Sequence, residues 1–345
     1  MHLLVIRLSA MGDVALTAPV VHSLLELNPM LSITVVTNGF YTPYFNTCDR
    51  LHIHPADLKG EHKGISGIRK LYRELIKNDF DAIIDLHDVL RTKVLRSFFK
   101  LKNTKVLCFD KGRSEKKSLL SNKRVFRKLP HTTERYFKIF QQLGIKTGFS
   151  SDPWTKTSQS EILSNFKGIH EINTKASLIG IAPFAKHESK IWGQEKIEIL
   201  IRQIQNEIGS TILLFGGVNE IPALNEIIKN NNSIILVAGK LDLASELKLM
   251  TDLDVMVSMD SSNMHLMCIL GKKVVSIWGG THHYLGFGPI GNENLIVEIP
   301  RKDMPCRPST IYGKVKNEKQ LDCAKSAMNR VTVEMVFAKI KQAKS

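Results

Sequence analysis

Short apolar runs rich in β-branched residues recur along this chain, each followed by a turn cluster and then by a stretch of helical periodicity. The first half carries "LLVIRL", a helical segment near 17–27, "SITVVT", "DAIIDL" and "TKVLCFD". The second carries "SLIGIAP", "STILLFGG", "SIILVAG", "LDVMVSMD" and "KKVVSIWGG", each ending in Gly, Pro, Ser or Asp. This alternation admits few folds: it asks for parallel sheets with helices on both faces. Between the halves, around 146–173, the pattern lapses into polar, turn-rich sequence that reads as a link. At 345 residues the chain exceeds a comfortable single core, so two domains are expected. The reading is an α/β protein of two Rossmann-like, doubly wound lobes facing a central cleft, residues 1–160 and 174–325. A closing amphipathic helix over 326–345 is expected to pack across them. In such sheets ligands bind beyond the carboxyl ends of the strands, where the strand order reverses.

Composition narrows the function classes. With 43% hydrophobic and 23% charged residues the chain is globular rather than disordered. No apolar run approaches the roughly 18 residues that span a bilayer. The opening "MHLLVIRL" is too short for a secretory signal, and a cytoplasmic protein is expected. Five cysteines with no pattern of close pairs point to reduced thiols. Cys306 and Cys323 share a neighbourhood but lack the doubled spacing of a zinc site. The formal charge of +15 implies an anionic partner: nucleic acid, an anionic membrane face or a phosphorylated substrate. Much of that excess lies between about 90 and 135. The chain shows no helix-turn-helix signature, RNP-like aromatic motif or zinc finger, which argues against nucleic acid.

Four segments could carry chemistry. In "VIRLSAMGDVALTAPVVHSLL" Asp13 stands at a strand-to-helix turn, either as a helix cap or as a base exposed at a sheet edge. "FGGVNE" sets Gly216 and Gly217 before a helix with Glu220 on its first turn; the glycines allow close backbone approach, and the carboxylate could accept bonds from ribose hydroxyls. "SMDSSNMHLMC" places Asp260, Ser261, Ser262 and Asn263 before an apolar helix that holds His265. The amino end of that helix is a ready diphosphate site, although Asp260 could equally be an N-cap and His265 structural. "APFAKHESKIWG" puts Lys186 and Lys190 on a loop, where an ammonium could neutralise a departing diphosphate.

Taken together, "RLSAMGDVALTAPVVHSLLELNP", "SKIWG" and "MDSSNMHLMCILGKKVVSIWG" resemble the three signature segments of the heptosyltransferases, which move heptose from ADP-heptose to the lipopolysaccharide core. "FDAIIDLHDVLRTKVL" and "HTTERYFKIFQQLG" also resemble that family's first lobe. The resemblance implies a GT-B fold with the acceptor on the first lobe and the nucleotide sugar on the second. It makes Asp13 the base, Lys190 the phosphate-binding lysine, and Asp260, Ser261 and Ser262 the diphosphate loop. Ser9, Gly12, Lys186, Gly216, Gly217, Glu220 and His265 join the donor contacts. Ala185 and Lys186 depart from the threonines common in the family, and Ser261-Ser262 from its Thr-Gly. The implied reaction is a single inverting displacement. No metal is expected, since no DxD-like pair stands at a strand end, and no cofactor beyond the donor. Arg91, Lys93 and Arg113 are the acceptor-side candidates, for a phosphorylated lipid-linked saccharide at the inner face of the inner membrane, with peripheral contact to its anionic lipids. The alternative is a GT-B transferase of another nucleotide sugar and glycan acceptor.

Overall fold

The computed structural model describes residues 1–45, 48–120, 126–150, 177–229, 231 and 233–345. Most of the segment read as a link, from 151 on, lies outside the described residues. The chain divides into two compact units, Met1–Lys111 with His131–Thr155 and Gly112–Pro130 with Lys156–Ser345.

In the first unit β1 (His2–Ile6), β2 (Ser32–Asn38), β3 (Leu51–Ala56), β4 (Ala82–Asp85) and β5 (Lys105–Cys108) form a parallel sheet in the order β3-β2-β1-β4-β5. The central strand is covered on both faces, so Leu3, Leu4, Val5 and Ile6 are all fully buried and the sequence there is an unbroken apolar run. Helix α1 (Met11–Leu27) follows β1, starts well before the segment read as helical and takes Pro19 into its interior. Helices α2 (Gly64–Leu75) and α3 (Leu90–Lys100) pack on each other and close the core over Leu4, Ile6 and Ile83.

Helix α4 (Arg113–Leu119) belongs to the second unit, whereas α5 (Thr132–Gln141) returns to the first and packs on α1. The reason is apolar burial: Leu119 and Leu129 pack on Leu285 with Phe126 and Phe287 around them, and Leu129 N donates to Tyr284 O at 2.9 Å. The basic stretch of residues 90–135 is therefore divided between the units, and Arg113 stands on the second.

The second sheet joins β6 (Leu178–Ala182), β7 (Thr211–Leu214), β8 (Ile234–Leu236), β9 (Val255–Met259), β10 (Lys273–Trp278) and β11 (Ile296–Glu298) in the order β11-β10-β9-β6-β7-β8, all parallel. Around it run α6 (Gln194–Ile208), α7 (Ile221–Ile228), α8 (Leu243–Thr251) and α9 (Ser262–Ile269). The closing segment is two helices, α10 (Glu318–Arg330) and α11 (Val333–Lys344), with Thr332 between them accepting from Met335 N. Helix α11 packs on α6, β9, β10 and β11, all in the second unit. No described helix is long and apolar enough to cross a membrane.

The strand order reverses between β1 and β4 in the first sheet and between β6 and β9 in the second. Ile6 pairs with Asp85 and Ala182 with Ser258, so the loops after those strands emerge side by side at each reversal. In this class of sheet that is where ligands bind.

Candidate active site

At the first reversal Arg7, one residue beyond β1, is buried. A buried guanidinium must be paired: Arg7 Nη1 donates to Leu86 O and Nη2 meets Asp13 Oδ2 in a close ion pair. Asp13 is the third residue of α1, whose N-cap is Ala10 with no side-chain cap bond. The capping role is thus not the one Asp13 fills. Its side chain is 35% exposed against 5% for that of Arg7, leaving a carboxylate open on one side and held by a fixed cation on the other. Gly12 precedes it in the same first turn.

The facing loop after β4 is a rigid frame. Fully buried Asp85 accepts from His87 N and Asp88 N through Oδ1, both at 2.9 Å, and from Arg96 Nη1 through Oδ2 at 3.0 Å. Lys111 Nζ adds a bond to Asp88 O at 3.1 Å. The frame sets His87 Nε2 3.3 Å from Ser9 Oγ. Burial pushes the His87 imidazole down to about 3, with Arg7 and Lys111 acting in the same direction, so it is neutral at physiological pH. Arg91 and Lys93 are exposed on the first turn of α3, with Lys93 Nζ 3.7 Å from Asp88 Oδ1.

At the second reversal the loop after β6 delivers Lys190 to the end of β9. Its Nζ lies 2.7 Å from Asp260 Oδ2 and 3.2 Å from Asp260 O, and Thr281 Oγ1 donates to the same Oδ2 at 2.7 Å. An ammonium has three N–H donors; Asp260 takes two and leaves one for a ligand. Ser261, not Asp260, is the N-cap of α9; it makes no side-chain cap bond, and its Oγ lies 3.1 Å from Ser258 Oγ. The first-turn N–H groups from Ser262 onward are orphan donors, and the helix dipole adds partial positive charge. Lys190 and Asp260 thus stand at the start of the helix that Ser261 and Ser262 open. His265 is buried one turn further along. Lys186 is exposed on the β6 loop. Gly216 and Gly217 lie in the loop after β7, where Glu220 Oε2 accepts from Gly217 N at 2.7 Å and closes its own turn.

Among the described residues three groups of His, Cys, Asp and Glu have ligand atoms close enough to hold a metal: His282, His283 and Glu298; Glu61, His62 and Glu74; Asp85, Asp88 and Cys108. Each is engaged otherwise. His282 Nδ1 accepts from Tyr284 N and His62 Nδ1 from Asp57 N, which puts the ring proton on the Nε2 facing the carboxylate. Arg96 bridges Asp85 and Asp88.

The cysteine reading is corrected. Cys306 and Cys323, the latter on α10, are joined by a disulfide of Cα–Cα 6.2 Å across a sequence separation of 17. Cys48, Cys108 and Cys268 are free thiols. Sequence reasoning also missed Arg7, His87 and Thr281. Arg7 had a signal, a single charge inside an apolar run, which implies a buried partner. Thr281 had none.

Two parallel, doubly wound units in one chain are the architecture of the GT-B glycosyltransferases. More particularly, residues 68–315 match the model of glycosyltransferase family 9 (heptosyltransferase), and the chain belongs to that family. The lipopolysaccharide core heptosyltransferase OpsX of Haemophilus influenzae is 22% identical, with 99% of this chain and 96% of that protein covered. Among solved structures, a family 9 glycosyltransferase from Veillonella parvula superposes with TM-score 0.75 at 20% identity, over 99% of this chain and 97% of that one. Escherichia coli heptosyltransferase WaaC with ADP superposes with TM-score 0.69 at 17% identity, over 99% and 100%. The fold is shared with these transferases along its length.

Proposed function

We propose that this protein transfers heptose from ADP-heptose to a lipopolysaccharide inner-core or lipid A-linked acceptor, with inversion and without a metal ion. The observation that carries the reading is the Lys190 ammonium, fixed on Asp260 with one donor to spare beside the uncapped amino end of α9. An anion-binding pair of this kind suits a diphosphate leaving group. Asp13 then takes the proton from the acceptor hydroxyl as that oxygen attacks the anomeric carbon. Arg7 keeps the carboxylate in place, and Lys190 with the α9 amides receives the charge that builds on the diphosphate. A single displacement inverts the anomeric centre. Metal independence is supported by the cations already seated on the strand-end carboxylates: Lys190 on Asp260, Arg96 on Asp85 and Arg307 on Glu298.

The acceptor is anionic and lipid-linked, and the work is done at the cytoplasmic face of the inner membrane by peripheral contact. Exposed Leu90 and Leu101 at the two ends of α3, 79% and 82% accessible, stand among Arg91, Lys93, Lys100 and Lys102, a pattern that suits an anionic lipid surface. Arg91, Lys93 and Arg113 remain the acceptor-side candidates. The test is to incubate the protein with ADP-heptose and heptose-deficient core lipopolysaccharide, with and without chelator. One added heptose by mass spectrometry, of inverted configuration by NMR and at equal rate in chelator, is expected. A product formed only from another nucleotide sugar replaces the donor, and loss of product in chelator removes the metal-free mechanism.

A further inference from the structure

The segment from Cys306 to Cys323 is closed on itself by the disulfide and is stitched to the second unit beside Lys190. Ser309 N and Thr310 N both donate to Gly280 O, at 2.9 and 3.1 Å, while Gly280 N donates to Ser189 O at 3.1 Å. Gly280 has no room for a side chain: a Cβ there would lie 2.7 Å from Ala324 Cβ. Thr310 Oγ1 accepts from Gly313 N at 2.9 Å, and Gly313 O accepts from the buried Ser189 Oγ at 2.5 Å. Arg307, fully buried, fixes the start of the strap on the carbonyls of Gly279 and Thr281. Gly313 has φ of +94°, and a Cβ on it would lie 2.6 Å from Lys190 Cε and 3.1 Å from His187 Cβ. The strap therefore lies against the alkyl chain of the lysine whose ammonium sits on Asp260.

We infer that Gly313 and Ser189 are positioning residues that hold the Lys190 side chain against Asp260, so that a diphosphate meets an ammonium already in place. The inference rests on the reading of Lys190 as the diphosphate lysine. A free lysine side chain has many rotamers to lose when it binds, and a lysine confined beforehand does not incur that loss at binding. Glycine at 313 is what lets the strap approach this closely with a left-handed backbone.

Calorimetry on the full chain with ADP and with adenosine separates the possibilities, because the strap acts through Lys190 and adenosine carries no phosphate. Ser189→Ala and Gly313→Ala are expected to weaken ADP roughly tenfold, leave adenosine unchanged and add nothing when built onto Lys190→Ala. If they weaken ADP and adenosine alike, or weaken ADP equally when Lys190 is already alanine, the strap is merely structural and the inference is overturned. If Lys190→Ala binds ADP as wild type does, the reading of Lys190 itself has failed. Should Gly313→Ala not fold, Ser189→Ala alone decides, since it removes one hydroxyl without adding bulk.

Discussion

The two reversals of strand order present opposite charges by the same device. In the first unit a carboxylate, Asp13, faces outward and is backed by a buried cation, Arg7. In the second an ammonium, Lys190, is backed by a buried anion, Asp260, with side-chain exposures of 14% and 7%. Each of these more exposed charges is thus paired with a more buried partner that orients it. The comparison teaches that position is set by the pair and not by the lone residue: a buried charge is tolerated only with its partner, so the partner fixes where the exposed charge stands.

The largest effect expected of breaking this symmetry is at Asp13. Asp13→Asn keeps the size and the first-turn position but removes the proton acceptor, so turnover of the folded variant should fall by about 10²–10⁴-fold; it also takes the counter-charge from buried Arg7, so the melting temperature should fall as well. Steady-state rates with a thermal melt check it, and a folded variant with most of its activity would leave the first unit without a base. Next comes Lys190→Ala, which should lower turnover by about 10²–10³-fold, as the loss of one preorganised stabilising group commonly does. It should also weaken ADP, whereas Asp13→Asn should not; equal ADP affinity in both variants would erase the division of labour between the units.

The sheets were largely legible in the sequence because buried parallel strands are unbroken apolar runs, and nine such runs correspond to β1, β2, β4, β5, β6, β7, β8, β9 and β10. Two of the four edge strands, β3 and β11, were not. β3 interleaves His52 and His54 with Leu51 and Ile53 and ends in Pro55 and Ala56, and β11 is three residues long. Helix α1 was read short because its first turn, Met11 to Val14, is dominated by glycine and a charge rather than by an apolar stripe, and Pro19 sits inside it. At the site, residues within the motifs were legible and their partners were not. Asp13, Lys190 and Asp260 stand in recognisable sequence motifs. Arg7, Thr281, Gly313 and the Cys306–Cys323 bond act through contacts between segments 6 to 124 residues apart, which no local pattern encodes.

A third prediction uses pH. A buried imidazole in each unit is pushed down to about 3: His87, by burial with Arg7 and Lys111, and His282, by burial against the opposing pull of Glu298. Beside burial, the charged groups that act on His87 are Arg7, Lys111 and Arg91 as cations and Asp13 as an anion. An unfolded histidine binds a proton near pH 6.5. Between there and about pH 3 the unfolded chain therefore holds more protons, and stability is lost as pH falls through that window. From pH 7 to pH 5 the His87 contribution is about 2 kcal/mol. Urea unfolding of His87→Gln at the two values should show that much less acid sensitivity than wild type. An unchanged difference would mean that the imidazole protonates freely in the folded protein.

The smallest effects belong to the exposed cations, and they sharpen the contrast with the enclosed lysine. Arg91 and Lys93 lie on the solvent side of α3, and Lys93 is 50% exposed with its nearest carboxylate 3.7 Å away. Exposed charge contacts are worth about 0.2–1 kcal/mol, so Arg91→Ala and Lys93→Ala should each weaken the apparent acceptor affinity by no more than about fivefold at low salt. A Debye length of about 3 Å at 1 M salt should erase even that difference, while leaving turnover untouched throughout. Lys190 is only 14% exposed and is held on Asp260, so under the proposed role the defect of Lys190→Ala should persist across the same titration. Acceptor KM and kcat measured from low to high salt for the three variants provide the check. If the Lys190→Ala defect also fades with salt, its ammonium works through solvent as the surface cations do, and the second reversal loses its claim to be a preorganised site.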